Sequence, residues 1–132
     1  MTEEALFAAD EQPHILLVDD DETFTHVMSR AMMRRGLRVT VAGSAEEGLA
    51  LAREDLPEYA VLDLKMEGDS GLVLLPKLLE LDPEMQVVIL TGYSSIATAV
   101  EAIKRGARNY LCKPADADDV LVALLSDKAD LE

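Results

Sequence analysis

Asp19, Asp20 and Asp21 follow directly on an apolar run, "ILLV". A fourth aspartate, Asp63, ends the apolar part of "YAVLDL", Thr91 and Gly92 follow "VVIL", and Lys113 follows "RNYLC" and precedes Pro114. Like charges packed together cost free energy unless something positive sits among them. Carboxylate oxygens are hard ligands that suit a hard cation. An aspartate can also act as a nucleophile, and an ammonium can neutralise charge that builds up in a reaction. Taken singly, each of these residues has a plainer reading. An aspartate after a strand caps a helix, a threonine there sits in a turn, and a lysine before proline is solvated. Four such positions at the ends of four of five apolar runs are a pattern that the plain readings do not explain.

The runs themselves read as strands alternating with helices. "HILLV" (14–18) is a first strand, and Phe24, Val27, Met28, Ala31 and Met32 then recur at helical spacing until Gly36. Asp21 is placed to start that helix, where negative charge meets the positive end of the helix dipole. "LRVTV" (37–41) is a second strand, and Ser44 with Glu47 forms a capping box for the second helix. Strands at 59–64, 86–90 and 108–112 alternate with helices at 71–81, from about Ile96 to Gly106, and at 116–126, with Asp116 as N-cap of the last. Ile96, Ala99, Val100 and Ile103 mark the fourth helix. Five β/α units predict a parallel sheet with helices on both faces. Ligands bind such sheets outside the carboxyl ends of the strands, where the polar residues above would converge. Pro76 conflicts with this outline. An interior proline costs a helix roughly 3 kcal/mol, so the third helix must start later than 71 or kink.

With 132 residues, 49% of them hydrophobic, the chain suits one domain with a real core. No apolar run approaches a membrane span. Residues 1–13 read as a ragged acidic leader without the features of a signal peptide. One cysteine and two histidines argue against a His/Cys zinc site. The net charge of −14 argues against nucleic-acid binding by this segment, and a cytoplasmic home fits. Cys112 reads as a packing residue at a strand end, and His14 and His26 as surface or edge residues.

The motifs "ILLVDDDE", "VLDLKM", "VVILTGY" and "YLCKPAD", in that order, resemble the receiver domain of two-component response regulators. The resemblance covers residues 14–126. It implies a flavodoxin-like (CheY-like) doubly wound (βα)5 fold with strand order 2-1-3-4-5. It implies Mg²⁺ held by Asp19, Asp20, Asp63 and the backbone carbonyl of Lys65. It makes Asp63 the phosphoacceptor, with Thr91 and Lys113 contacting the phosphoryl group. Thr91 and Tyr110 are then the switch pair, acting on the face of the fourth helix, fifth strand and fifth helix, and Lys113-Pro114 is a cis peptide. Such a domain catalyses only its own phosphorylation and dephosphorylation.

"LTGYSSIATAVEAIKRGARNYLCKPADADDV" further resembles the RegA/PrrA/ActR group of redox-responsive regulators, and within it the Pseudomonas-type RoxR. That likeness implies a sensor histidine kinase of the RegB/PrrB/RoxS kind, a homodimer on phosphorylation, no membrane association, and DNA contact only through a C-terminal helix-turn-helix domain absent from this chain. Residues 127–132 are then the start of a linker. The sequence departs from many receivers in carrying Glu67 four residues after the phosphoacceptor, where Gly68 and Gly71 supply turns. Lys65 and Tyr93 could crowd a hydrolytic water and slow dephosphorylation. Aspartyl-phosphate hydrolases resemble the acidic motif less well, because their nucleophile ends the first strand. A flavodoxin-type FMN site would want a Ser/Thr/Gly-rich loop where this chain has three aspartates.

Overall fold

A computed structural model describes residues 12–65, 70–92 and 95–125. Most of the expected leader, Glu67 and Gly68, Tyr93, and the expected linker at 127–132 lie outside the described residues. The elements run β1 (His14–Val18), α1 (Glu22–Arg34), β2 (Arg38–Ala42), α2 (Ala45–Glu54), β3 (Tyr59–Leu62), α3 (Gly71–Leu81), β4 (Gln86–Thr91), α4 (Ile96–Lys104), β5 (Asn109–Cys112) and α5 (Ala117–Leu125). All paired strands are parallel, in the order β2-β1-β3-β4-β5. The expected doubly wound fold is therefore present.

Alternate side chains of each strand point to opposite faces, and this divides the core in two. Leu16, Val18, Leu62 and Ile89 pack with Leu74, Leu75 and Leu78 of α3 and the small residues Ala45, Ala52 and Ala102 of α2 and α4. Ile15, Leu17, Val61, Val88 and Leu90 pack on the other face with Met28 and Met32 of α1 and Val120, Leu121 and Leu124 of α5. Each large side chain buried this way is worth about 1.5–3 kcal/mol relative to exposure. The three central strands are buried almost throughout, whereas the edge strands β2 and β5 are half exposed. Helix ends follow local chemistry. Ser44 and Asp21 cap α2 and α1, Asp116 and Asp119 exchange hydrogen bonds at the start of α5, and Gly36 and Gly106 take the positive φ that ends α1 and α4.

Three expectations need correction. Val27 is on the solvent side of α1, 61% exposed; Thr25 is the buried residue instead. On α4 the apolar stripe faces outward, with Ile96, Val100 and Ile103 all exposed, and only Ala102 buried. A small residue lets that helix lie close to the sheet, so its large ones point away. His14 is not a surface residue. It lies in the interior strand β1, 3% exposed, with Nε2 2.7 Å from Thr40 Oγ1 and Nδ1 3.8 Å from an Asp55 carboxylate oxygen. Burial holds its pKa below the ordinary value, the Arg38 charge acts in the same direction, and Asp55 opposes them.

The proline conflict has a structural answer. Helix α3 starts at Gly71, as the periodicity predicts, and Pro76 lies inside it. Residue 76 has no N–H to give to the carbonyl of Leu72. Arg105, from the end of α4, donates its Nη1 to that carbonyl at 3.0 Å, and its Nε donates to Glu101 at 2.8 Å. The acceptor that proline orphans is thus used to tie α4 to α3.

Two outcomes test these packing arguments. Arg105→Ala should lower unfolding stability by roughly 0.5–1 kcal/mol. In a Pro76→Ala background the loss should shrink, because residue 76 then supplies the missing donor; equal losses in a urea double-mutant cycle would contradict the tie. Separately, a folded state that resists protonating His14 loses stability to an unfolded state that accepts the proton at about 6.5. Stability is full above that pH and should fall as pH drops through it, towards the lower folded value. His14→Gln should remove this part of the decline; parallel profiles for the two proteins would contradict it.

Candidate functional site

The ends of β1 and β3 lie side by side because the two strands are neighbours in the sheet. The N–H of Asp63 donates to the carbonyl of Val18 at 2.9 Å, carrying the β1–β3 pairing one residue beyond the strand. Asp19 donates its N–H to Ala42 at 3.0 Å on the other side. Both aspartates are therefore held by backbone bonds at the carboxyl edge of the sheet, 4% and 7% exposed, while Asp20 beside them is exposed. One carboxylate oxygen from each of Asp19, Asp20 and Asp63 lies within 4.8 Å of the others. Asp21 turns away into α1, as expected. Its carboxylate accepts from Phe24 N–H at 3.1 Å, while its own N–H donates to Asp19 Oδ1 at 2.9 Å.

Positive charge reaches the cluster from the far end of the chain. Thr91, fully buried, is the last residue of β4 and lies opposite Cys112 of β5. The N–H of Lys113 donates to the Thr91 carbonyl at 2.9 Å, which fixes the lysine backbone at the same edge. Its Nζ then donates to Asp19 Oδ2 at 2.7 Å and stands 4.0 Å from Asp63 Oδ2. The Lys113-Pro114 peptide is cis, as expected. Burial pushes the Asp19 carboxyl above its ordinary pKa and the charge of Asp63 adds to this; the Lys113 hydrogen bond and the Asp21 N–H act against them without overcoming them. A carboxylate left in this state gains by any further cation nearby.

A cleft of about 350 Å³ opens beside the cluster, lined by Asp63, Lys65, Thr91 and Gly92. Lys65 is exposed, and its N–H lies 3.4 Å from Asp63 Oδ1. Tyr110 stands apart from the cleft's lining. It is half-buried in β5, opposite Ile89, and packs against the core on the side of α2, α3 and α4. Cys112 departs from its expected packing role: it is exposed at the end of the edge strand.

Two residues at the site were not visible as such in the sequence. The ring of Phe24 lies under the Lys113 ammonium, 4.3 Å from Nζ to the ring centroid. Its helical spacing marked it only as a core residue. Gly71 reads as a turn glycine, yet it opens α3, and a Cβ there would come 2.4 Å from the carbonyl oxygen of Asp63. The requirement is close approach between the start of α3 and the backbone of Asp63. No spacing rule carries that signal.

Comparisons with known proteins agree with this arrangement. The family model described as "Response regulator receiver domain" matches residues 15–125. The chain is 49% identical over 117 residues to the photosynthetic apparatus regulatory protein RegA of Rhodovulum sulfidophilum, covering 89% of this chain and 64% of that protein. It is 46% identical over 111 residues to the acid tolerance regulatory protein ActR of Rhizobium meliloti, covering 84% of this chain and 57% of that protein. The chain thus spans less than two thirds of the length of either relative. Among solved structures, a response regulator from Burkholderia pseudomallei, described as carrying a phosphorylated aspartic acid, a calcium ion and citrate, superposes with a TM-score of 0.86 at 41% identity, covering 91% of this chain and 71% of that one. With strand order, acidic edge and sequence all in agreement, the chain belongs to the response regulator receiver domain family and is the receiver domain of a response regulator.

Proposed function

We propose that a sensor histidine kinase, of the RegB/PrrB/RoxS kind, transfers a phosphoryl group to Asp63, and that Asp19, Asp20, Asp63 and the Lys65 carbonyl hold Mg²⁺ beside it. The observation that carries this reading is the meeting of three carboxylates and one ammonium at a single sheet edge. Hard oxygen donors this close together suit a small divalent cation, and exposed Asp20 leaves the water access that Mg²⁺ retains. The phosphorylated aspartic acid and calcium ion of the Burkholderia protein support the same reading. When bound, Mg²⁺ supplies charge neutralisation for the incoming group.

The chain's own residues do the rest. An Asp63 oxygen attacks phosphorus; the P–N bond to the kinase histidine breaks, and its electron pair leaves on the imidazole nitrogen. Backbone bonds already hold Asp63 in place, which removes much of the entropic cost of alignment. Lys113 shifts from Asp19 towards the phosphoryl oxygens, and the Thr91 hydroxyl donates to one of them. Tyr110 turns into the space that Thr91 leaves. The α4–β5–α5 face changes with it, and its exposed Ile96, Val100, Ile103, Val122 and Leu125 suit a homodimer contact. The output is transcription control through a DNA-binding domain carried elsewhere in the full protein. The regulatory names of the relatives support this, among them "Transcriptional regulatory protein ZraR" of Escherichia coli, 36% identical over 110 residues that make up 25% of that protein. A cytoplasmic location follows from such a partner and output. Among the described residues no helix is long and apolar enough to cross a membrane.

Beryllofluoride with Mg²⁺ mimics the phosphoryl group and tests the reading. Wild type should show NMR shifts at Thr91, Tyr110 and α4, with a move to dimer in sedimentation, and Asp63→Asn should show neither. If wild type does not respond, or if the variant responds equally, Asp63 is not the acceptor.

A further inference from the structure

We propose that Phe24 is a positioning residue for the chemistry at Asp63: its aromatic face holds the Lys113 ammonium where it can serve both Asp19 and Asp63. The proposal rests on the reading of Lys113 as the group that neutralises the transferred phosphoryl oxygens. Among the described residues, two carboxylates and one aromatic ring approach Lys113 Nζ. They are Asp19 Oδ2 at 2.7 Å, Asp63 Oδ2 at 4.0 Å and the Phe24 ring at 4.3 Å from its centroid. The first two are negative charges, and a flexible four-carbon stem does not by itself keep the head between them. The ring adds an apolar wall with a favourable quadrupole, 4.3 Å from Nζ to its centroid and well inside the ~6 Å reach of a cation–π contact. The lysine side chain is only 22% exposed, so the contact is partly desolvated.

The ring is itself held in place. Phe24 donates its backbone N–H to Asp21, which caps α1, and Asp21 donates its own N–H to Asp19. Its side chain is half-buried against the core on the α1–α5 side. One short turn, Asp19 to Phe24, therefore provides both the carboxylate that binds the ammonium and the surface that keeps it from leaving. A lysine prepared this way reaches an incoming phosphoryl oxygen by a small displacement rather than by a search through rotamers.

The test compares wild type, Phe24→Leu, Phe24→Tyr, Lys113→Met and the Phe24→Leu/Lys113→Met double variant. The measured quantity is the rate of phosphorylation by acetyl phosphate with Mg²⁺, as a function of acetyl phosphate concentration. Phe24→Leu should lower the maximal rate about three- to tenfold, the range of a partly desolvated cation–π contact, while half-saturation changes little. Phe24→Tyr, which keeps the ring, should restore the rate. In the Lys113→Met background Phe24→Leu should have no further effect. A loss that persists in that background, or a Phe24→Leu rate equal to wild type, overturns the proposal. If Lys113→Met itself leaves the rate unchanged, the reading of Lys113 fails, and the two failures are thereby told apart. A measurement on wild type needs no variant to fold: the Lys113 ε-methylene protons should show an upfield ring-current shift. Ordinary lysine shifts there overturn the proposal.

Discussion

Three carboxylates held within a few ångströms of one another at the edge of a sheet repel, and much else in this molecule answers that repulsion. Asp19 and Asp63 cannot move apart, because each is pinned by a backbone bond to the strand beside it. The compensating charge must come to them. Lys113 does so from 94 residues away, through a β5 that ends level with β4 and an N–H bonded to Thr91. The strand order is what makes this possible. β1 and β3 are neighbours, which sets the two buried aspartates side by side, and β4 and β5 follow in sequence along the same edge. A different crossover would leave the same residues scattered.

The compensation is incomplete, and that is its use. Lys113 is close to Asp19 and further from Asp63, and burial still weighs against charge on Asp19. A site with full internal neutralisation would gain nothing from a cation and would resist accepting more negative charge. On the proposed mechanism, metal and phosphoryl group both enter a site whose own charges are out of balance. The start of α3 closes against this site so tightly that only glycine fits at position 71.

The face that the proposed mechanism assigns to output is built on the opposite principle. Helix α4 buries one residue, Ala102, and presents Ile96, Val100 and Ile103 to solvent. A helix with so little buried apolar surface is repositioned at low cost. What holds it includes a polar tie, from Arg105 to the Leu72 carbonyl that Pro76 leaves without its helical donor. The proline that looked like a fault in α3 is thus part of how α4 is placed.

Much of the fold was legible from local pattern. Apolar runs, helical spacing and capping signals marked the elements that the structure shows, and caps such as Asp21, Ser44 and Asp116 lay where short-range hydrogen bonding puts them. The acidic and polar residues at strand ends were legible too, since a change from apolar to charged is visible within one run. Tertiary structure alone decided what depends on a second segment. Periodicity says that α4 has an apolar stripe but not which way it faces. It places His14 in a strand but does not say that the strand is an interior one, and it places Cys112 at a strand end but not on an exposed edge. The Phe24 ring under Lys113, the Asp63 carbonyl against Gly71 and the Arg105 bond to Leu72 are contacts between different elements or their ends. Spacing along the chain records the rise and turn of a single element; the distance between two elements is set by how the whole sheet is ordered and packed.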